Sequence, residues 1–185
     1  GRVNEALKGE GLSYQGKIEI KNLLWVLVED IGLGKLKGLV RHPLKGLRVG
    51  PFYGCYIVRP TELLGYKEHP ERGEYLEKVI ETVGATPVDF VGKDKCCGFP
   101  ILTMNRKNSL SMAGDRLLEA KEQGADCLVT PCPLCHLNLD SQQPDVEKVK
   151  KTKMGLPILH LPQLIGLAMG IDPEELWLDR HIVST

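Results

Sequence analysis

The chain has 185 residues, 42% hydrophobic and 26% charged, which is the composition of a globular domain and not of a disordered one. Twenty-four Lys and Arg balance 24 Asp and Glu, so the formal net charge is zero and binding to a nucleic-acid backbone is not expected. No run of about 18 apolar residues is present. The best stretch, 156–171, is broken by Pro157, His160, Pro162 and Gln163, so no direct membrane insertion is expected either.

The chain opens Gly-Arg-Val-Asn-Glu, without an initiator Met, an apolar signal core or a basic leader. It reads as a cytoplasmic fragment of a longer polypeptide. Residues 1–16 are polar and Gly-rich, with weak helical signal from Val3 to Leu7. Leu23, Leu24, Leu27, Val28 and Ile31 then repeat at i, i+4 and i+8, predicting an amphipathic helix closed by Gly32 and Gly34. Gly32-Leu33-Gly34 is not a phosphate loop, because no strand feeds it. A short helix from Lys35 to Val40 stops before Pro43.

The apolar run from Leu47 predicts a buried strand with Cys55 at its end, followed by a Pro- and Gly-containing loop over 59–70. A helix carrying Leu76, Val79, Ile80 and Val83 closes at Gly84. Thr86 to Val91 predicts a second strand, running into Cys96-Cys97-Gly98. Leu110, Ala113, Leu117 and Ala120 mark one helix face, and 127–130 a third strand that leads to Cys132-Pro133-Leu134-Cys135. A fourth strand over 156–161 and a helix through Met169 follow. Asp172, Pro173 and Glu175 carry the N-cap, N1 and N3 signature of a last helix.

Strands alternating with helices, each strand a nearly continuous apolar run, indicate an α/β fold. The expected architecture is a parallel sheet of about four strands with helices on both faces. The expected division is a helical N-terminal extension over 1–46 and an α/β cysteine-rich domain over 47–185.

Six cysteines are too few for a disulfide scaffold and too clustered to be incidental. The first three strands lead to Cys55, to Cys96 and Cys97, and to Cys132 and Cys135, and parallel crossovers bring those strand ends to one edge of the sheet. Five thiols form a soft donor set for iron–sulfur or zinc and not for magnesium or calcium. Adjacent cysteines direct their side chains apart, which serves two metal ions better than one and favours an iron–sulfur cluster. Zinc remains the alternative, and a plain dithiol at Cys132 and Cys135 a third. Cys127 lies inside a strand and reads as core packing.

Among the other candidates, His136 follows the C-x-x-C directly and is a weak catalytic candidate, able to supply a proton or orient a thiolate. His160 reads as a satisfied core histidine, and His42, His69 and His181 as surface residues. Arg59 suits either an anionic group at the site or a salt bridge. Gly54 and Gly98 are positioned to let backbone approach the thiols.

Cys55, Cys96-Cys97-Gly98 and Cys132-Pro-Leu-Cys135 together resemble the cysteine-rich CCG domain of the B-type subunit of heterodisulfide reductase. Gly54-Cys-Tyr-Ile-Val-Arg-Pro60, Gly124-Ala-Asp126, the continuation His136-Leu-Asn138-Leu-Asp140 and Gln163 to Gly170 resemble the same protein. The likeness runs from about Val3 to the terminus. It implies a noncubane [4Fe–4S] cluster on Cys55, Cys96, Cys97, Cys132 and Cys135, serving electron transfer to a small-molecule disulfide. The implied partners are other subunits of a heterodisulfide reductase-like complex, including an iron–sulfur electron donor.

Full-length subunits of that kind carry two such modules, and this chain resembles the second, so in isolation it is expected to be inactive. Phe99 stands where many relatives have a second Gly, and the spacings from Cys55 to Cys96 and from Cys97 to Cys132 are slightly long and slightly short. Tyr56, Phe99 and Pro100 are candidates for shaping the substrate pocket. The alternative function is a zinc-binding structural or interaction module of a succinate dehydrogenase-like, glycolate oxidase-like or lactate-utilisation complex.

Overall fold

The computed structural model describes residues 1–184. The four apolar runs form β1 (Arg48–Pro51), β2 (Thr86–Pro87), β3 (Cys127–Thr130) and β4 (Ile158–His160). All pair in parallel, in the order β2-β1-β3-β4. The α/β class and the parallel four-stranded sheet are those expected from the sequence. β1, β2 and β4 are shorter than their apolar runs, β2 most of all. Val88 still donates to the Val49 carbonyl at 2.9 Å, but the chain then leaves the sheet edge.

Helices cover both faces. The alternation of side chains along the strands separates the core into two layers. Val49, Cys127, Val129 and Leu159 point into one, shared with α2 (Leu23–Trp25), α3 (Leu33–Leu39), α4 (Tyr75–Thr82) and α8 (Leu161–Met169). Leu128 and Ile158 point into the other, shared with α5 (Arg106–Glu122), α6 (Pro133–Ser141) and α7 (Gln143–Lys150). The α4 crossover thus lies on one face and the α5 crossover on the other. The strand order turns back between β1 and β3, which creates a crevice beyond their carboxyl ends.

Two helical expectations are corrected. The segment from Leu23 starts as α2 but continues over Val26–Ile31 as a π-helix, with the Gly32 N–H bonded to the Leu27 carbonyl five residues back. The wider winding rotates the buried face, so Leu24, Trp25 and Leu27 are buried while Leu23 and Ile31 are exposed. The signature at Asp172 is real, since its side chain accepts the Glu174 N–H at 2.8 Å. No α-helix follows, because Trp177 adopts a left-handed φ of 58° and the chain closes in a 3-10 turn over Leu178–Arg180. A short helix, α1 (Arg2–Leu7), stands where the weak signal lay.

Candidate metal centre

β1 ends at Pro51, and Tyr53 and Gly54 turn the chain out of the sheet, both donating to the Lys93 carbonyl at 2.8 and 3.3 Å. Those bonds lay the Cys55 loop beside the loop that carries Cys96 and Cys97. Arg59 adds a second tie, donating to the Asp94 carbonyl at 2.8 Å and pairing with its carboxylate. Arg59 therefore takes the salt-bridge alternative. β3 leads directly to Cys132, the N-cap of α6, with Pro133 at N1, where a missing N–H is harmless. Cys55 and Cys132 thus stand at the ends of the two strands that flank the crevice.

The thiols on these loops lie close enough to perturb one another. Burial first, and then the neighbouring Cys96 thiol, push the Cys55 thiol up to about 11. The Cys97 thiol is lowered by a hydrogen bond from Cys135. Cys132 is lowered to about 6, chiefly by the Cys135 thiol and then by the N–H groups of Cys135 and Leu134 at the start of α6. Cys135 donates to both and is raised well above the ordinary thiol range.

All five predicted thiols are therefore brought to one crevice. Cys127 is not: it lies in the opposite core layer, 4% exposed, and burial pushes its thiol up to about 12. Among the described residues, no three or more His, Cys, Asp or Glu side chains surround a single metal ion as they stand.

Two glycines make room for this arrangement. A Cβ on Gly54, at φ +70°, would lie 2.8 Å from the Cys135 sulfur, and one on Gly98, at φ +94°, would lie 2.5 Å from the Ser109 carbonyl oxygen. Gly98→Ala combines left-handed strain with a backbone clash and is expected to cost at least about 2 kcal/mol, read as a shift in urea midpoint. A loss below about 0.5 kcal/mol would show that the turn relaxes freely.

Tyr56 is 61% exposed and divides two open clefts. One is lined by Trp25, Ile57, Leu64 and Cys132, the other by Cys55, Arg59 and Pro60. Phe99 and Pro100 line neither.

His136 is half-buried and packs against two other imidazoles, with ring centroids 5.8 Å from His160 and 5.0 Å from His181. Burial and the charges of His181 and His160 lower its pKa, and no thiol contributes. His181 is thus not a surface residue. His160 is not fully satisfied, since its Nε2 is buried without a partner. The polar groups that hold the cysteine turn, Ser109 and Asn138, escape a search for chemistry-bearing residues. Their signal is position: Ser109 lies on the buried stripe with Ala113 and Leu117, and Asn138 lies one helical turn past Cys135.

Comparison with known proteins agrees with this geometry. The CCG cysteine-rich domain family matches residues 49–140. The 8-methylmenaquinol:fumarate reductase membrane anchor subunit of Wolinella succinogenes is 37% identical over 99% of this chain and 63% of that protein. The B-type subunit of the ferredoxin/F(420)H(2)-dependent CoB-CoM heterodisulfide reductase of Methanosarcina acetivorans is 34% identical over 98% of this chain and 61% of that protein. The chain therefore spans about three-fifths of the length of these relatives. A crystal structure of a hypothetical protein from Helicobacter pylori shares the fold, with a TM-score of 0.72 at 19% identity over the whole of this chain and 32% of the other. Residues 49–140 thus match the CCG cysteine-rich domain family, and almost the whole chain is similar to heterodisulfide reductase B-type subunits.

Proposed function

We propose that the chain is an iron–sulfur electron-transfer module holding a noncubane [4Fe–4S] cluster on Cys55, Cys96, Cys97, Cys132 and Cys135. In a longer polypeptide with a second such module, it would serve the reduction of a small-molecule disulfide. The observation that carries this reading is the convergence of five thiols from three loops on one crevice, with the sixth excluded. Five sulfur donors exceed what one tetrahedral zinc takes, which fits a polynuclear group better than a single ion. When bound, such a cluster supplies electrons one at a time to a sulfur seated beside it.

The chain's own residues prepare the site. The α6 N-terminus and Cys135 keep Cys132 a thiolate, the form that binds metal. The Cys55 loop and Tyr56 form the wall of the open clefts where a disulfide would lie. His136 takes no proton-transfer step in this reading, because its ring faces His160 and His181.

We place the chain in the cytoplasm, bound to an iron–sulfur donor subunit; no helix among the described residues is long and apolar enough to cross a membrane. The 1–46 extension would be carried as part of the same unit, since Leu24, Trp25, Leu27 and Leu36 share the core of Val49 and Val129. The deciding experiment is anaerobic reconstitution with iron and sulfide, followed by metal analysis and electron paramagnetic resonance. Iron and sulfide in the proportions of the cluster are expected. Stoichiometric zinc, with neither iron nor sulfide taken up, would replace this reading with the structural zinc module.

A further inference from the structure

In the turn that carries the adjacent thiols, two consecutive peptide groups are fastened by buried side chains from two different helices. Asn138 of α6, 1% exposed, donates its amide to the Cys97 carbonyl at 2.9 Å. Ser109, near the start of α5 and fully buried, donates its hydroxyl to the Gly98 carbonyl at 2.8 Å. Both peptides are trans, so each is planar with its C=O and N–H on opposite sides. Fixing the carbonyl therefore fixes the direction of the N–H in the same plane.

The N–H that shares a plane with the Cys97 carbonyl belongs to Gly98, and it reaches the Cys96 sulfur at 3.3 Å. The next peptide, whose Gly98 carbonyl accepts from Ser109, holds the other side of Gly98, so this residue is fixed from both flanks. The Cys96 sulfur thus receives a backbone donor from a residue whose two flanking peptides are held from behind by buried polar side chains. The other polar atom of Asn138, Oδ1, is buried without a partner, so the amide is used in one direction only, toward the Cys97 carbonyl.

We propose that Asn138 and Ser109 are positioning residues that aim the Gly98 N–H group at the Cys96 sulfur and so raise the reduction potential of the bound cluster. The inference rests on the cluster reading above. Reduction adds negative charge that spreads onto the sulfurs. A donor already aimed at one of them stabilises the reduced form more than the oxidised one.

The test is a redox titration of the anaerobically reconstituted protein, with iron and sulfide assayed in the same samples. Asn138→Leu and Ser109→Ala are each expected to retain the parent's iron and sulfide. Each should also shift the one-electron equilibrium three- to tenfold toward the oxidised form, a potential lower by about 30 to 60 mV. Ile80→Val, a conservative change in the opposite core layer, is expected to keep the parent potential.

Loaded variants that titrate with the parent overturn the inference and leave the cluster reading standing, as does an equal shift in Ile80→Val. A parent protein that takes up no cluster overturns both. Should Asn138→Leu fail to fold, Ser109→Ala, which removes a single oxygen, decides the matter alone.

Discussion

Cys132→Ser is expected to lower iron retained after reconstitution and chelator challenge by at least about tenfold, while Cys127→Ala retains the parent amount. The two residues are only five apart, so the contrast depends on the fold. Cys132 caps α6 at the crevice and is a thiolate at neutral pH, held at about 6 by Cys135 and the first N–H groups of the helix. Cys127 sits three residues earlier than the strand's end, on the opposite face of the sheet, with its thiol pushed up to about 12 by burial.

Cys127 is excluded by its position, because a strand side chain on the opposite face of the sheet cannot reach the crevice. Its replacement by Ala removes one buried sulfur and costs roughly 1 kcal/mol of packing. Iron and acid-labile sulfide measured side by side decide the case. Equal losses in the two variants would remove the basis for dividing the cysteines five and one.

The second large effect is on stability. Glu29→Ala is expected to destabilise the fold by about 3–5 kcal/mol, measured by urea denaturation. Arg72 donates to both Glu29 oxygens, at 2.7 and 3.1 Å, and to the Leu64 carbonyl at 2.6 Å. Its guanidinium also stacks 4.1 Å over the Trp25 ring. The two side chains are only 10% and 18% exposed, so solvent screens the pair weakly. Removing the carboxylate leaves a buried cation without its counter-ion, and the π-helical segment loses its tie to the turn before α4. A loss below about 1 kcal/mol would place the pair in the class of solvent-screened surface bridges. Arg72→Met/Glu29→Ala is expected to recover part of the loss, because no charge is then left buried and unpaired.

The sheet was legible because each strand is a compact apolar run, and parallel strands buried on both faces need nothing else. The converging thiols followed from that sheet, since Cys55 and Cys132 come soon after the ends of β1 and β3, while Cys97 is reached by a longer loop beyond β2. What was not legible depends on contacts between residues distant in the chain. The π-winding of Val26–Ile31 leaves no trace in an i, i+4 pattern, yet it decides that Trp25 and not Ile31 is buried. The signature at Asp172 describes how a helix begins, and the left-handed Trp177 that prevents it from continuing carries no equivalent sign. His181 looks exposed among polar neighbours. It is drawn in because Asp140 accepts the N–H groups of Ile182 and Val183, at 3.0 and 3.3 Å, and lays the C-terminal tail against α6.

The turning point between β1 and β3 also bears on how the protein folds. The five thiols come from three loops separated by whole helices. Only the pairs Cys96–Cys97 and Cys132–Cys135 are close in an unfolded chain. The remaining contacts form only once β1 and β3 are side by side, with both crossovers in place. A group bound across all five would then join three loops that local sequence keeps apart, and it would add stability to the native state alone. Uptake of the group should accordingly follow formation of the sheet, with the long-range β1–β3 pairing setting the pace of maturation.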